Sequence, residues 1–236
     1  MKKAKKFWGI FLALTLLFSS VTAVSANSKE SNESFVSLDD ITKYQDKTYA
    51  NAAPNEVIIT DPVVIKKLAT EQGFPDVQDI KKLTYTIGKV ESSALEDEIP
   101  HSKAITVRTF ISDVEDKGTG FKLQDHFDEN RYQGPISGTY KYSRTDTSTY
   151  NSTVSLNAEI VSAGIGFTIG KSYTKSDSVT INVPAGKRII LKIWTNYQKK
   201  TFTVYNEFSS SVGLWYPQGT GSAYKPVGLI FTQAEY

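Results

Sequence analysis

Hydroxyl-bearing and apolar side chains alternate through residues 140–183, YKYSRTDTSTYNSTVSLNAEIVSAGIGFTIGKSYTKSDSVTINV, over more positions than one ordinary strand needs. In the first half Val154, Leu156, Ala158 and Ile160 share one parity and Ser155, Asn157, Glu159 and Val161 the other. That is the period-2 signature of a half-buried strand, and only Val161 interrupts it. Past Ser162, Ala163 and Gly164 the alternation resumes with Ile165, Phe167 and Ile169 against Gly166, Thr168 and Gly170. It turns polar over residues 171–178 and apolar again at Val179, Ile181 and Val183. The pattern predicts two long antiparallel strands joined near residues 162–164.

Other periodicities place shorter elements around this one. Asp61 and Pro62 followed by VVIKKLATEQG supply an N-cap, a proline at the first helical position, an apolar side of Val64, Ile65 and Leu68, and Gly73 as a stop, which predicts a helix. Residues 56–60 and 83–90 read as strands, residues 76–82 as a helical turn, and residues 104–114 as a further alternating strand. The Gly- and charge-rich stretch 117–138 reads as a connection, either a functional loop or a turn of helix. Residues 188–197 predict a strand that turns at Gln198, Lys199 and Lys200 to pair with residues 201–208. The tail predicts two short strands, around Trp215 and over residues 227–232. Residues 27–54 are rich in Ser, Asn, Lys and Glu and read as a flexible lead-in with a short helix near residues 38–44. No internal repeat of 20 to 50 residues is visible. The fold expected is mainly β, an elongated antiparallel sheet or sandwich over residues 101–236, with a small N-terminal α/β portion over residues 55–100.

The N-terminus adds a destination. MKKAKK, an apolar run over residues 7–18 and the small-residue site Val24, Ser25, Ala26 read as a secretory signal peptide over residues 1–26, cleaved after Ala26. A retained anchor needs about 20 apolar residues, and Thr15, Ser19, Ser20, Thr22 and Ser25 dilute this run. Loss of Lys2, Lys3, Lys5 and Lys6 leaves 23 basic against 25 acidic residues, turning the net charge from +2 to −2. Such a surface argues against nucleic acid as a partner. With no cysteine, an exported fold must hold without disulfides.

Catalytic chemistry is thin. The chain has two histidines, no cysteine and no nucleophile-elbow, zincin or phosphate-loop pattern, so an enzyme is not expected, and no catalytic residue or cofactor is assigned. His126 stands in Asp125-His126-Phe127-Asp128-Glu129, but sequential neighbours seldom converge on one ion. Glu91, Glu96, Asp97 and Glu98 lack the Asp-x-Asp-x-Asp-Gly spacing of a calcium loop. No metal site is predicted. Trp194, Trp215 and Tyr216 could line a sugar platform, since aromatic faces stack on sugar rings, although a strand Trp is more often core or interface, and Trp215 and Tyr216 are the candidates for surface binding.

With these residues laid out, residues 139–208 resemble the pore-forming module of aerolysin-type toxins, in the epsilon-toxin and mosquitocidal-toxin branch. A long Ser/Thr-rich strand, a small-residue apolar centre at residues 163–170, a returning Ser/Thr strand over residues 172–183 and the turn Val183-Pro184-Ala185-Gly186-Lys187 occur in the family's order. The resemblance implies a secreted protein that binds a target membrane or cell-surface receptor, forms homo-oligomers and inserts one hairpin per subunit into a β-barrel. The inserting hairpin is then residues 147–178. Val154, Leu156, Ala158, Ile160, Ile165, Phe167 and Ile169 would face lipid, and Ser155, Asn157, Glu159, Gly166 and Thr168 the lumen, as an alternating transmembrane strand requires. The alternative is a non-lytic, secreted cell-surface binding protein whose long strands merely solvate their outer face with Ser and Thr.

Overall fold

The computed structural model describes residues 34–49, 52–90, 109–209 and 214–236. The expected signal peptide and the acidic residues Glu91, Glu96, Asp97 and Glu98 lie outside the described residues. The protein is mainly β and antiparallel, as its alternation predicts. Its spine is a pair of 22-residue strands, β9 (Arg188–Ser209) and β10 (Leu214–Glu235), bonded to each other along almost their whole length. At the rise of an extended chain that is about 70 Å. Around them β1 (Phe35–Ser37), β2 (Glu56–Ile59), β3 (Lys82–Ile87) and β4 (Thr109–Lys122) complete the order β1-β4-β9-β10-β3-β2. β5 (His126–Gln133) extends the β4 side of β9, and β7 (Thr149–Ser152) pairs with β10 beyond β3. β6 (Ile136–Thr147) and β8 (Ser172–Val183) form a separate two-stranded ribbon.

Three sequence expectations are corrected here. No turn occurs at Gln198, Lys199 and Lys200. These residues carry no turn chemistry, and the backbone there runs between Asp116 and Thr119 of β4 on one side and Ala223, Tyr224 and Lys225 of β10 on the other. Most of the supposed connection 117–138 is strand, because β4 continues to Lys122 and β5 begins at His126. The two short tail strands are one long strand. It passes Pro217 and Pro226 at register shifts, which let the missing N–H groups fall outside the ladder.

The spine serves three apolar clusters. At one end α2 (Pro62–Glu71) forms as predicted: the Asp61 carboxylate accepts the Val63 and Val64 N–H groups, and Ile65, Leu68 and Ala69 are buried. They meet Leu83, Tyr85, Phe121, Ile190 and Trp194. Part of the expected flexible lead-in joins this core. Phe35–Ser37 pairs with β4, Ser37 caps α1 (Leu38–Thr42), and Leu38 and Ile41, three residues apart, are buried. Trp194 is fully enclosed, its ring centroid 4.7 Å from that of Phe121 and its indole N–H donated to Thr232 at 3.1 Å. The second cluster lies where Val179, Ile181 and Val183 of β8 cover Ile189, Leu191, Ile193, Leu229 and Phe231. The third lies at the far end of the spine and belongs to the candidate site.

Lys192 is buried beside α2 and donates to the Gln72 and Gly73 carbonyls at 2.8 and 3.0 Å. Its ammonium thereby closes the negative C-terminal end of the helix. Glu129 lies 3.4 Å from the same ammonium and accepts from Arg131 at 3.0 Å. Burial alone would raise the Glu129 carboxyl, but Arg131 and Lys192 outweigh it and hold it below the usual carboxylate range. A lowered folded-state value contributes stability at neutral pH that disappears as pH falls through that value. Thermal melts of the Glu129→Gln variant should therefore show a flatter loss of Tm between about pH 5 and pH 3 than the parent protein. Parallel acid limbs would show that this carboxylate is not a source of acid sensitivity.

Candidate functional site

The β6–β8 ribbon has two unlike faces. On its exposed face four cross-strand pairs join hydroxyls, Thr139 with Thr180 at 3.0 Å, Ser143 with Ser176 at 2.8 Å, Thr145 with Thr174 at 2.7 Å, and Thr147 with Ser172 at 3.0 Å, while Ser137 faces Asn182 and Lys141 faces Ser178. Such pairs stabilise an antiparallel ladder. On the other face the partners run from Ile136 opposite Val183 and Tyr140 opposite Val179 to Arg144 opposite Lys175 and Asp146 opposite Tyr173. The ribbon is thus attached by apolar packing at one end and by polar contacts toward the other. Asp146 accepts from Arg144 at 3.1 Å and from the Thr195 hydroxyl of the spine, and Asp177 accepts the Lys89 N–H at 2.7 Å.

Between the two ribbon strands lie β7 and α3 (Ala158–Ile165). Here the strands expected over residues 154–161 and 165–170, and the turn expected near residues 162–164, are overturned. Asn157 accepts the Glu159 N–H at 2.8 Å as an N-cap, and Gly166 ends the helix at φ 82°. Val161, the residue that breaks the period-2 pattern, is in register with Ala158, Ser162 and Ile165 on a period of 3.6, and Val161, Ser162 and Ile165 are buried together.

Side chains from outside and inside the segment fasten it. Lys200 donates to the Ile165 carbonyl at 2.8 Å, at the negative end of the helix. Ser162 donates to the Ala158 carbonyl at 2.7 Å and accepts the Ile169 N–H at 2.9 Å, folding the chain back beneath the helix. Tyr150 donates to the Leu156 carbonyl at 2.7 Å. Gly164 lies against Ile111 of β4, so closely that an added Cβ would collide with the outer carbons of that side chain.

Every residue expected to face lipid enters one cluster. Ile165, Phe167 and Ile169 are buried with Ile111, Phe202, Val204 and Ala223, while Val154, Leu156, Ala158 and Ile160 pack against them half-buried. Ser155, Asn157 and Glu159 are exposed. Over residues 154–160 the parity is kept as a division between half-buried and exposed residues, although the backbone is not a strand; Val161, on the polar parity, is fully buried, and Gly166 and Thr168 are half-buried.

Trp215 and Tyr216 are exposed by 42% and 44% at the far end of the spine. Trp215 meets Phe110 edge to face at 4.6 Å, and Phe110 stacks on Tyr205 at 5.5 Å. Sequence reading missed Phe110 and Tyr205, whose meeting depends on the register of β4 with β9. Trp194 is not beside them but in the first core. His126 lies 5.4 Å from the Trp194 ring, Asp128 accepts from Asn130, and Glu129 pairs with Arg131 and Lys192. Among the described residues no three His, Cys, Asp or Glu side chains converge to hold a metal ion. Among them, too, no helix is long and apolar enough to cross a membrane, which leaves strands untouched.

No family model matches the chain, and no curated protein matches its sequence. Among solved structures it is similar to a lamprey immune protein, with 14% identity and a TM-score of 0.28 over 55% of this chain and 54% of that one. It is also similar to an aerolysin-like protein of Bombina maxima, with 10% identity and a TM-score of 0.25 over 54% of this chain and 97% of that one. A third similar structure is a putative pore-forming toxin of Bacteroides vulgatus, with 13% identity and a TM-score of 0.26 over 51% and 54% of the two chains. The chain thus spans about half the length of the lamprey and Bacteroides structures.

Proposed function

We propose that this is a secreted, toxin-like β-protein that forms homo-oligomers on a target membrane and permeabilises it by refolding residues 147–178 into a transmembrane β-hairpin. The observation that carries this reading is the storage of Val154, Leu156, Ala158, Ile160, Ile165, Phe167 and Ile169 in one cluster between two hydroxyl-rich strands. A helix this short cannot span a bilayer, but the same residues re-extended place apolar side chains on one parity and Ser155, Asn157, Glu159, Gly166 and Thr168 on the other. Lipid on one side and a wet lumen on the other need that division over about 9 to 11 residues. Releasing the segment means giving up the Asn157 cap, the Lys200 contact and the packing on Ile111, so a membrane or an oligomer must supply the compensating burial.

The test separates lipid contact from folding. Phe167 is buried to 1% exposure, so a charge there would damage the soluble fold as well as any inserted one. Ile160 is only half-buried and is the better probe. Ile160→Lys should keep the far-UV spectrum and melting behaviour close to those of the parent and lower dye release from liposomes at least tenfold. A lysine on the lipid face costs about 2 to 4 kcal/mol per subunit near the bilayer midplane. Release equal to the parent's, with SDS-resistant oligomers, would overturn the assignment of this parity to lipid. The exposed Trp215 and Tyr216 favour a second reading, a non-lytic surface-binding protein, which predicts retention on cells without release of dye.

A further inference from the structure

Three strand ends meet at the aromatic end of the spine. Phe110 of β4 is the cross-strand partner of Tyr205 of β9, and Glu207 of β9 is the partner of Trp215 of β10. Directly paired residues present their side chains on the same sheet face, so these four form one strip. The Tyr205 hydroxyl donates to the Asp113 carboxylate at 2.6 Å, which brings a second acidic group to its margin. Residues 109–113, 204–207 and 214–217 contain two carboxylates, Asp113 and Glu207, and no lysine or arginine. Trp215 is 42% exposed and Leu214, beside it, 54% exposed.

We propose that this strip docks the choline headgroup of zwitterionic lipids. A quaternary ammonium has no N–H to donate and is recognised by aromatic faces, whose negative quadrupole attracts the diffuse positive charge. Trp215 provides the exposed ring, with Phe110 and Tyr205 stacked on each other beside it, and Asp113 and Glu207 provide the complementary charge, with no lysine or arginine among the described residues of these three strand ends. The same carboxylates repel phosphatidylglycerol or phosphatidylserine surfaces, which a basic strip would prefer. Leu214 and Trp215 suit the level between headgroup and acyl chain, where one side of a residue is apolar and the other wet. The choice of a lipid headgroup over a soluble choline rests on the proposed membrane target. The strip lies back to back with the stored segment: Ile111 and Val204, the chain neighbours of Phe110 and Tyr205, point to the opposite face of the same strands and cover residues 154–169 there.

Vesicle flotation tests this with the full protein and liposomes of phosphatidylcholine, phosphatidylethanolamine or phosphatidylglycerol. The expected result is binding to phosphatidylcholine at least tenfold tighter than to the other two, with a blue shift of the exposed Trp215 emission. Trp215→Ala and Phe110→Ala should each lose at least tenfold in affinity, and Glu207→Lys should move the preference toward phosphatidylglycerol. Circular dichroism melts of each variant separate lost binding from lost folding. Equal binding to phosphatidylethanolamine, which has the same net charge without the methyl groups, would overturn the proposal, as would undiminished binding by Trp215→Ala or preferential retention on cell-wall polysaccharide. Dye release without choline preference would overturn this inference and leave the pore reading standing. Choline-dependent binding without release or oligomers would do the reverse.

Discussion

Oxidised Ile111→Cys/Gly164→Cys protein is expected to fold, to bind membranes and to release no dye until reductant is added. A Cβ built on Gly164 lies 3.7 Å from the Cβ of Ile111, within the spacing a disulfide needs. Shortening Ile111 to cysteine also removes the outer carbons that the new side chain at residue 164 would otherwise meet. The parent chain has no cysteine, so a single pairing is possible. The bond would tie α3 to β4 and prevent residues 147–178 from leaving the spine, while the aromatic strip and the ribbon's hydroxyl face stay untouched. Dye release should fall at least tenfold and recover on reduction. Full release by the oxidised protein, with the bond verified by mass, would mean that α3 does not have to move and would remove the refolding step from the proposed function.

The second large effect concerns the spine. Trp194→Ala should destabilise the protein by about 3 to 5 kcal/mol, through lost burial, an emptied space beside Phe121 and an unpaired Thr232 hydroxyl. For a chain of this size that corresponds to a fall in Tm of roughly 10 °C. All three clusters draw residues from β9: Ile190 and Trp194 in the first, Phe202 and Val204 in the distal one, and Ile189, Leu191 and Ile193 beneath the ribbon. The loss should therefore appear as one displaced transition seen alike by near-UV and far-UV circular dichroism. A separate early transition would show that the two ends of the spine unfold independently.

Much of the architecture is readable because its signals are local. Asp61, Pro62 and the apolar side of α2 specify that helix without help from elsewhere, and the Ser/Thr parity of residues 140–147 and 172–183 marks the ribbon, whose first strand starts earlier, at Ile136, within the expected connection. What is not readable depends on partners distant in sequence. Gln198, Lys199 and Lys200 look like a turn between two strands until β4 and β10 are seen to bond the backbone on both sides. For residues 154–165 two periods compete. Val154, Leu156, Ala158 and Ile160 fit a strand, whereas Ala158, Val161, Ser162 and Ile165 fit a helix, and the Asn157 cap, Gly166 and the Lys200 contact decide for the helix in the soluble protein. The single interruption at Val161 was the sign in the sequence that both periods are present. Phe110 and Tyr205 carried no such sign, since aromatic residues in alternating strands are ordinary until register places them together.

The hydroxyl pairs of the ribbon have a consequence for sliding. Thr139, Ser143, Thr145 and Thr147 face Thr180, Ser176, Thr174 and Ser172, so a slip of two residues between β6 and β8 sets most hydroxyls opposite other hydroxyls again. That face is nearly degenerate in register. The opposite face is not: the same slip removes Ile136 from Val183 and Tyr140 from Val179 and carries Arg144 and Asp146 past their neighbours. Register is therefore imposed on the ribbon by the spine beneath it. Once lifted away, the two strands can shift in even steps at little cost, which is the freedom a sheet needs to adopt the stagger of a closed barrel.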